Sequence, residues 1–392
     1  MGNTLKKVIR KIHLWLGLAS GLVVFIVSLT GCIYVFQEEI CLLFQTGVFR
    51  NVETQNTPFI SPLTIKEKVE DAFEGEITYM NVSVYPKGDR VTIVWMRDQD
   101  RKYQAFLLNP YSGKIIHSYP YNLNFWGIVL FLHTSLGIPG FGHHIVAIAT
   151  LIFVILLISG LFLWLPKSKK GYKQRFSIKW GASPRRLNYD LHNVLGFYMT
   201  WVAIFIAVSG LIWSYSWVDQ AIYWLASGGK TPEQAEVVTS VYQNTQLASQ
   251  HVIDDSLQQI IKQHPGLNNY YLVYPADSTS AYSLTLNTEA GFFYNRHDTY
   301  FLDQYTGDIL DEVLWKDKNN GDKLQEANYN IHVGAILGLP GKIIAFFASL
   351  IATSLPVTGF LIWWGRGKKK KGKHRYNNTS AKKTDFPIRS SV

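Results

Sequence analysis

The chain has 392 residues, of which 47% are hydrophobic and 14% aromatic. Its mean hydropathy of +0.03 is high for a soluble protein. The net charge of +10 would suit a nucleic-acid-binding protein, but the basic residues flank apolar runs instead of forming one patch, which argues against nucleic acid.

The apolar residues are concentrated in four long runs, at 12–36, 144–165, 191–215 and 343–364. Each run is long enough to cross the hydrocarbon core of a lipid bilayer, which takes about 20 helical residues. Basic residues precede the first run, fill the segment between the second and third, and follow the fourth. The positive-inside rule therefore predicts that both termini are cytoplasmic and that the two long connecting segments lie outside.

The two outer segments are each predicted to form an α+β module of the same plan, a helix followed by antiparallel strands. The first module is predicted to contain a helix at 63–73 and strands at 79–85, 90–96, 103–108 and 114–117. The second is predicted to contain a helix at 254–263 and strands at 270–274, 282–287, 298–302 and 308–310. Each module also contains a turn that starts at Asn or Asp and ends at Gly, at 109–113 and 303–307.

Three other segments have weaker patterns. Residues 37–62 are predicted to form a polar connector, and residues 316–326 a charged loop. The basic, polar tail at 365–392 is predicted to be disordered.

An internal repeat relates the two halves of the chain. Six positions on one face of the first membrane helix recur with the same spacing in the third: His13, Gly17, Gly21, Val24, Ser28 and Gly31 correspond to His192, Gly196, Thr200, Ala203, Ala207 and Gly210. His133 and His332 likewise stand at equal distances before Gly160 and Gly359, and each is followed by a glycine-proline break. The fold class is therefore an α-helical membrane protein with four transmembrane helices in two pseudo-symmetric halves.

The predicted order of segments follows from this repeat. It is a cytoplasmic N-terminus with the first membrane helix (1–36), a first outer module (37–125), an outer lead-in segment with the second helix (126–165), a basic cytoplasmic loop (166–190), the third helix (191–215), a second outer module (216–328), a second lead-in segment with the fourth helix (329–364) and a basic cytoplasmic tail (365–392).

Four histidines occupy equivalent positions in the repeat: His13 and His192 at the cytoplasmic side, His133 and His332 at the outer side. Imidazole is a good axial ligand for haem iron, and two ligands must approach a haem from opposite faces. One histidine from each half would supply such a pair twice, and thus two haems. Glycines near His13 and His192 would make room for a porphyrin, although tight helix packing explains the same small residues without a cofactor.

His144 is a second-rank candidate for the outer site. It and its neighbour His143 correspond to Lys342 and Ile343 in the other half, so this pair breaks the repeat and ranks below His133. The chain has no P-loop, GxGxxG or HExxH element, so a flavin or nicotinamide is not expected and electrons must come from a separate donor. The membrane helices hold almost no carboxylates, which argues against an ion pump.

Several motifs taken together resemble the PepSY-associated transmembrane family. They include the segments around His13 and His192 and both turns that end in Gly. They also include Ser159-Gly160 and Thr358-Gly359, each of which is followed within a few residues by Trp. The resemblance covers about residues 5–366. It implies PepSY-like modules in the periplasm, an inner-membrane location and, since some members are haem-containing reductases of ferric siderophores, two b-type haems on His13, His133, His192 and His332. It also implies a di-haem reductase of a ferric siderophore or similar chelate, which would dock between the modules.

Two other functions remain open from the sequence. The first is a non-redox sensor or scaffold that binds a periplasmic peptide or peptidase through the outer modules. The second is a permease that carries the intact iron complex across the membrane.

Overall fold

The computed structural model describes residues 3–46, 50–166, 172, 175–232, 236–240, 250–289 and 295–380. Within these residues four helices are long and apolar enough to span a membrane, and they are Thr4–Tyr34, Gly142–Trp164, Pro184–Ser214 and Ala335–Gly365. The four apolar runs are therefore helices, as predicted. Lys167, Lys169, Lys170 and Lys173 of the predicted basic loop lie outside the described residues.

The helices and strands alternate along the chain in two similar series. The first half contains α1 Asn3–Tyr34, α2 Gln37–Phe44, α3 Pro62–Ala72, β1 Ile77–Val84, β2 Thr92–Asp98, β3 Tyr103–Leu108, β4 Ile115–Pro120, α4 Phe125–Ser135 and α5 Gly142–Trp164. The second half contains α6 Pro184–Asp190, a π-helical turn Leu191–Leu195, α7 Gly196–Ser214, α8 Ser216–Ser227, α9 Gln250–Lys262, β5 Leu267–Val273, β6 Tyr282–Glu289, β7 Asn295–Leu302, β8 Ile309–Val313, α10 Asn320–His332 and α11 Gly338–Ser380.

The spanning helices pack with small residues inside and large apolar residues outside. Ala203, Ala348 and Ala352 are buried at the centre of the bundle, while Leu22 and Phe205 are 72% and 64% exposed. Small residues allow close approach of helices in a bilayer. Large apolar side chains on the outer surface of the bundle are suited to contact with lipid, since in water they would form an unfavourable apolar surface.

The strands form one continuous antiparallel sheet in the order β4-β3-β2-β1-β5-β6-β7-β8. The two halves meet where β1 pairs with β5, for example Val82 opposite Leu272. The two modules are joined by backbone hydrogen bonds between β1 and β5 into one sheet, a pairing that the sequence did not predict.

One face of the sheet is covered by α3 and α9, and the core between them includes Ile65, Val82, Leu257 and Leu284. The two predicted turns lie at equivalent ends of the sheet. Asn109 Oδ1 accepts the backbone N–H groups of residues 111 and 112, and Asp303 Oδ1 accepts those of 305 and 306. The glycine that ends each turn has a positive φ of 67° or 76°, which confirms the turn chemistry predicted from the sequence.

Three segments differ from the sequence expectation. The predicted polar connector begins with α2, a helix too short for its period to be recognised, which is anchored by the buried side chain of Cys41. The predicted charged loop contains the start of α10, where Asn319 and Asp322 form a reciprocal capping box. The first part of the predicted disordered tail continues α11 as far as Ser380, because extending a formed helix fixes few additional dihedrals for each hydrogen bond gained, and residues 381–392 lie outside the described residues.

Candidate paired-histidine cofactor site

The helix bundle encloses two cavities, and each contains one histidine from each half of the chain. The inner cavity, of about 480 Å³, is lined by His13 and His192. The outer cavity, of about 230 Å³, is lined by His133 and His332. The structure therefore brings together the two pairs that the repeat had suggested.

The outer pair has a spacing that suits two ligands of one metal ion. The ring centroids of His133 and His332 are 6.0 Å apart and their planes are inclined by 74°. Two imidazoles on opposite sides of a metal, with metal–nitrogen bonds of about 2.0–2.1 Å, would have ring centroids roughly 6 Å apart. Both residues lie outside the spanning segments, and burial lowers the pKa of each, that of His332 to about 3. Both rings are therefore neutral at neutral pH, which is the ligating form.

Each of the four histidines contacts a serine or threonine on a membrane helix of its own half. The distances from Nδ1 to the hydroxyl oxygen are 2.8 Å for His13 and Ser159, 2.9 Å for His192 and Thr358, 3.2 Å for His133 and Thr30, and 3.0 Å for His332 and Ser209. His133 Nδ1 is also 2.9 Å from the carbonyl oxygen of Val27.

These contacts fix which ring nitrogen carries the proton. Each of the four hydroxyl groups donates to a carbonyl one turn earlier in its own helix, so its oxygen is left to accept from the imidazole. The Val27 carbonyl can only accept, which requires a proton on His133 Nδ1. The proton is thus assigned to Nδ1, and Nε2 keeps the lone pair that a metal needs.

A glycine follows each of these hydroxyl residues and makes room for the imidazole ring. A Cβ atom added at Gly31, Gly160, Gly210 or Gly359 would lie 3.2–3.5 Å from Cε1 of the histidine that contacts the preceding hydroxyl. The four Ser/Thr-Gly pairs are therefore equivalent cradles for four imidazoles. Two of these pairs, Ser159-Gly160 and Thr358-Gly359, stood out in the sequence as motifs, but the sequence did not assign them to the histidines.

The outer histidines are carried by short helices that end against the membrane helices. His133 lies in the last turn of α4, and His332 is the last residue of α10. Added Cβ atoms at Gly142 and Gly341 would lie 1.9 and 2.1 Å from carbonyl oxygens at the ends of these lead-in segments. Only glycine allows backbones to approach so closely, so these residues set the depth of the outer histidines.

The inner pair is held differently, because His192 lies within a π-helical turn. Such turns are rare in α-helices and are often found at functional sites. The residue before the turn, Asp190, has a side chain that is only 2% exposed and pairs with Arg186 at 2.8 Å. This ion pair spans α6 and fixes the start of the turn that carries His192.

The small residues predicted to make room for a cofactor do line the inner cavity: Gly17, Gly21, Gly196 and Thr200. A Cβ atom at Gly21 would also lie 3.3 Å from Cβ of Pro356, so this glycine contributes to helix packing as well. Gly21 therefore both lines the cavity and allows close packing of the helices.

His144 is exposed, and its ring contacts only the rings of Phe141 and His143 among the residues that the structure describes. It does not line the outer cavity, whereas His143 does.

Two further side chains, Val24 and Phe153, line both cavities and form the layer between them. The two histidine pairs therefore lie in adjacent spaces within one bundle.

The donor set indicates what kind of metal could be bound. Over the described part of the chain, no three His, Cys, Asp or Glu side chains come together as a site for a bare metal ion. A metal that brings four in-plane donors of its own, as in a haem, needs only two axial imidazoles. The paired Nε2 atoms, the cradles and the adjoining cavities fit such a group.

A family model described as the PepSY-associated TM region matches residues 10–366. The chain belongs to the PepSY-associated transmembrane family. No curated protein matches the chain. The PepSY-associated match includes the sheet, most of the first spanning segment, the other three spanning segments and all four paired histidines.

Proposed function

We propose that this protein is a di-haem transmembrane reductase that passes electrons across the membrane to a ferric chelate, with a ferric siderophore as the expected substrate class. The observation that carries this proposal is the fourfold hydroxyl–imidazole contact, which leaves an unprotonated Nε2 on each of the four histidines that share the two cavities in pairs. His13 and His192 would hold an inner b-type haem, and His133 and His332 an outer one.

Haem, when bound, would supply one-electron redox chemistry at each pair. The chain's own residues orient the ligands. Ser159 and Thr358 hold the inner imidazoles, while Thr30 and Ser209 hold the outer ones. Val24 and Phe153, which line both cavities, form an apolar layer between the two sites.

The orientation of the two sites in the membrane is inferred from the distribution of charge. Basic residues at the start of α1 and between α5 and α6 favour a cytoplasmic location for the inner pair. The sheet then lies in the periplasm of a bacterial inner membrane, on the side of the outer pair. Electrons would come from a separate cytoplasmic donor.

The outer pair has an aromatic residue that connects it to the surface. The ring of Trp213 lies 5.1 Å from that of His332, and this tryptophan is 53% exposed. A ferric chelate at this surface would be near the outer site. Reduction would release the iron, because hard, oxygen-rich chelators hold ferrous iron much less tightly than ferric iron.

An absorption spectrum of the detergent-purified protein tests the proposal most directly. We expect a haem Soret band and low-spin signals from bis-imidazole ligation. His13→Ala and His192→Ala should each remove the inner haem and spare the outer one, and His133→Ala and His332→Ala should do the reverse. Absence of a Soret band after expression with adequate haem would exclude the reductase and favour a sensor or scaffold that binds a periplasmic peptide.

Transport of electrons can be separated from transport of the chelate. Proteoliposomes that contain a trapped reductant should reduce an external ferric siderophore, and the chelate should stay outside. Uptake of the intact labelled chelate without any reductant would instead indicate a permease.

A further inference from the structure

The inner cavity has a basic mouth on its cytoplasmic side. Most of its lining is apolar, but Lys6, Arg10 and Arg175 also line it. Arg10 lies three residues before His13 on α1, and therefore on the same helix face, about one turn nearer the cytoplasm. The cavity thus combines apolar walls beside the histidines with cations at one end.

Two of these cations, Arg10 and Arg175, have no anionic partner among the described residues. Lys6 donates to the carbonyl oxygen of Leu165 at the end of α5, at 2.7 Å. No carboxylate in the described part of the chain lies within salt-bridge distance of Arg10 or Arg175, whereas Arg186 pairs with Asp190. Arg175 is half-buried, and a cation so placed at an apolar cavity is costly unless an anion compensates it, while Arg10 is exposed at the mouth of the same cavity.

The outer cavity differs at the equivalent end. Among the described residues, its lining contains no lysine or arginine. Lys342, which corresponds to His143 in the repeat, is engaged by Glu39 at 2.7 Å and Glu38 at 3.6 Å on α2. The cationic mouth is therefore a property of the inner cavity and not of the duplicated scaffold.

We propose that Arg10 and Arg175 form a carboxylate-binding site that anchors the two propionate groups of the inner porphyrin. This inference rests on the proposed haem function. Guanidinium groups bind carboxylates through paired, charge-assisted hydrogen bonds. The site would set the orientation of the cofactor, with its carboxylate edge toward the cytoplasm and its apolar edge toward Val24 and Phe153.

The test uses the full-length protein, stripped of haem in detergent and titrated with either haemin or haemin dimethyl ester, in which both carboxylates are blocked. Arg10→Gln and Arg175→Gln should each weaken binding of haemin at the inner site by about 10-fold, since a hydrogen bond to a charged group contributes about 1.5–3 kcal/mol and 1.4 kcal/mol is tenfold. The ester should bind weakly to the unmodified protein and should be insensitive to both substitutions.

Lys11→Gln is the matched control, because Lys11 is an exposed neighbour of Arg10 that does not line the cavity. Arg10→Lys should retain part of the affinity, which would separate a charge effect from misfolding. The midpoint potential of the inner haem should fall in the glutamine variants, because uncompensated propionates stabilise ferric iron, while the outer haem should keep its potential.

Equal binding of haemin and its ester by the unmodified protein would overturn the carboxylate-binding site while leaving the reductase proposal intact. Normal haemin affinity and potential in the double glutamine variant would do the same. Failure of the unmodified protein to bind any haemin would instead refute the proposed function.

Discussion

The hydroxyl–imidazole contacts can be tested one at a time, and Ser159→Ala gives the sharpest test. Ser159 Oγ lies 2.8 Å from His13 Nδ1, and over the described residues it is the only hydrogen-bond acceptor found for that nitrogen. Alanine leaves the Nδ1–H group buried and unsatisfied and no longer fixes the proton on that nitrogen. A buried, unsatisfied donor costs about 1–3 kcal/mol, and loss of a ligand's hydrogen-bond partner typically costs about 10- to 100-fold in metal affinity. We therefore expect inner-haem affinity to fall by about 10- to 100-fold.

Ser20→Ala is the control for this variant. Ser20 is buried and lines the same cavity, but its hydroxyl donates to the carbonyl of Leu16 in its own helix and contacts no histidine. Thr30→Val should have a smaller effect on the outer haem, because His133 keeps its 2.9 Å contact with the Val27 carbonyl. Haem titration followed at the Soret band measures all three variants. Equal losses in Ser159→Ala and Ser20→Ala, or a greater loss in Thr30→Val, would refute the tautomer argument.

Three further outcomes follow from the geometry. Gly359→Val should remove the inner haem, because even the Cβ atom of the new side chain would lie 3.2 Å from His192 Cε1. Gly365→Val is the control and should retain the haem, because Gly365 faces open space on the same helix. Both variants are compared by the haem content of the purified proteins. His144→Ala should leave the spectra of both haems unchanged, because this exposed side chain lies outside the outer cavity, and loss of the outer haem would contradict that assignment. Gly113→Ala should destabilise the sheet by at least about 1–2 kcal/mol, since the φ of Gly113 is 67° and an added Cβ atom would lie 2.4 Å from the Ile60 side chain. Thermal unfolding in detergent should show a lowered Tm, with no change in haem content at low temperature.

The sequence predicted most of the fold because its signals are local. The four spanning helices follow from apolar length, the strands from alternation, and the equivalence of His13 with His192 from spacing that is visible within one chain. Helix α2 was missed because eight residues are too few to establish a period. The join between β1 and β5 was also missed, since pairing between strands far apart in sequence leaves no local pattern.

The residues that orient the paired histidines could not be assigned from the sequence. Ser159 is 146 positions from His13, and Thr358 is 166 positions from His192, so only the tertiary fold brings them together. A usable signal was nevertheless present. A Ser/Thr-Gly pair occurs near one end of each spanning helix, at residues 30–31, 159–160, 209–210 and 358–359, and a hydroxyl next to a glycine provides both an acceptor and the space for a ring.

The histidines are oriented by contacts within each half but are paired between the halves, which explains why both halves of the duplicated chain are needed. His13 is oriented by Ser159 and His133 by Thr30, all in the first half, and the second half repeats both contacts with its own residues. Each cavity, however, is lined by one histidine from each half. One half can therefore orient imidazoles but cannot complete a pair, and the packing of α1 against α11 and of α5 against α7 is what turns four oriented rings into two sites. The β1–β5 junction ties the same two halves together above the membrane, so the sheet helps to hold the two histidines of each pair in opposition.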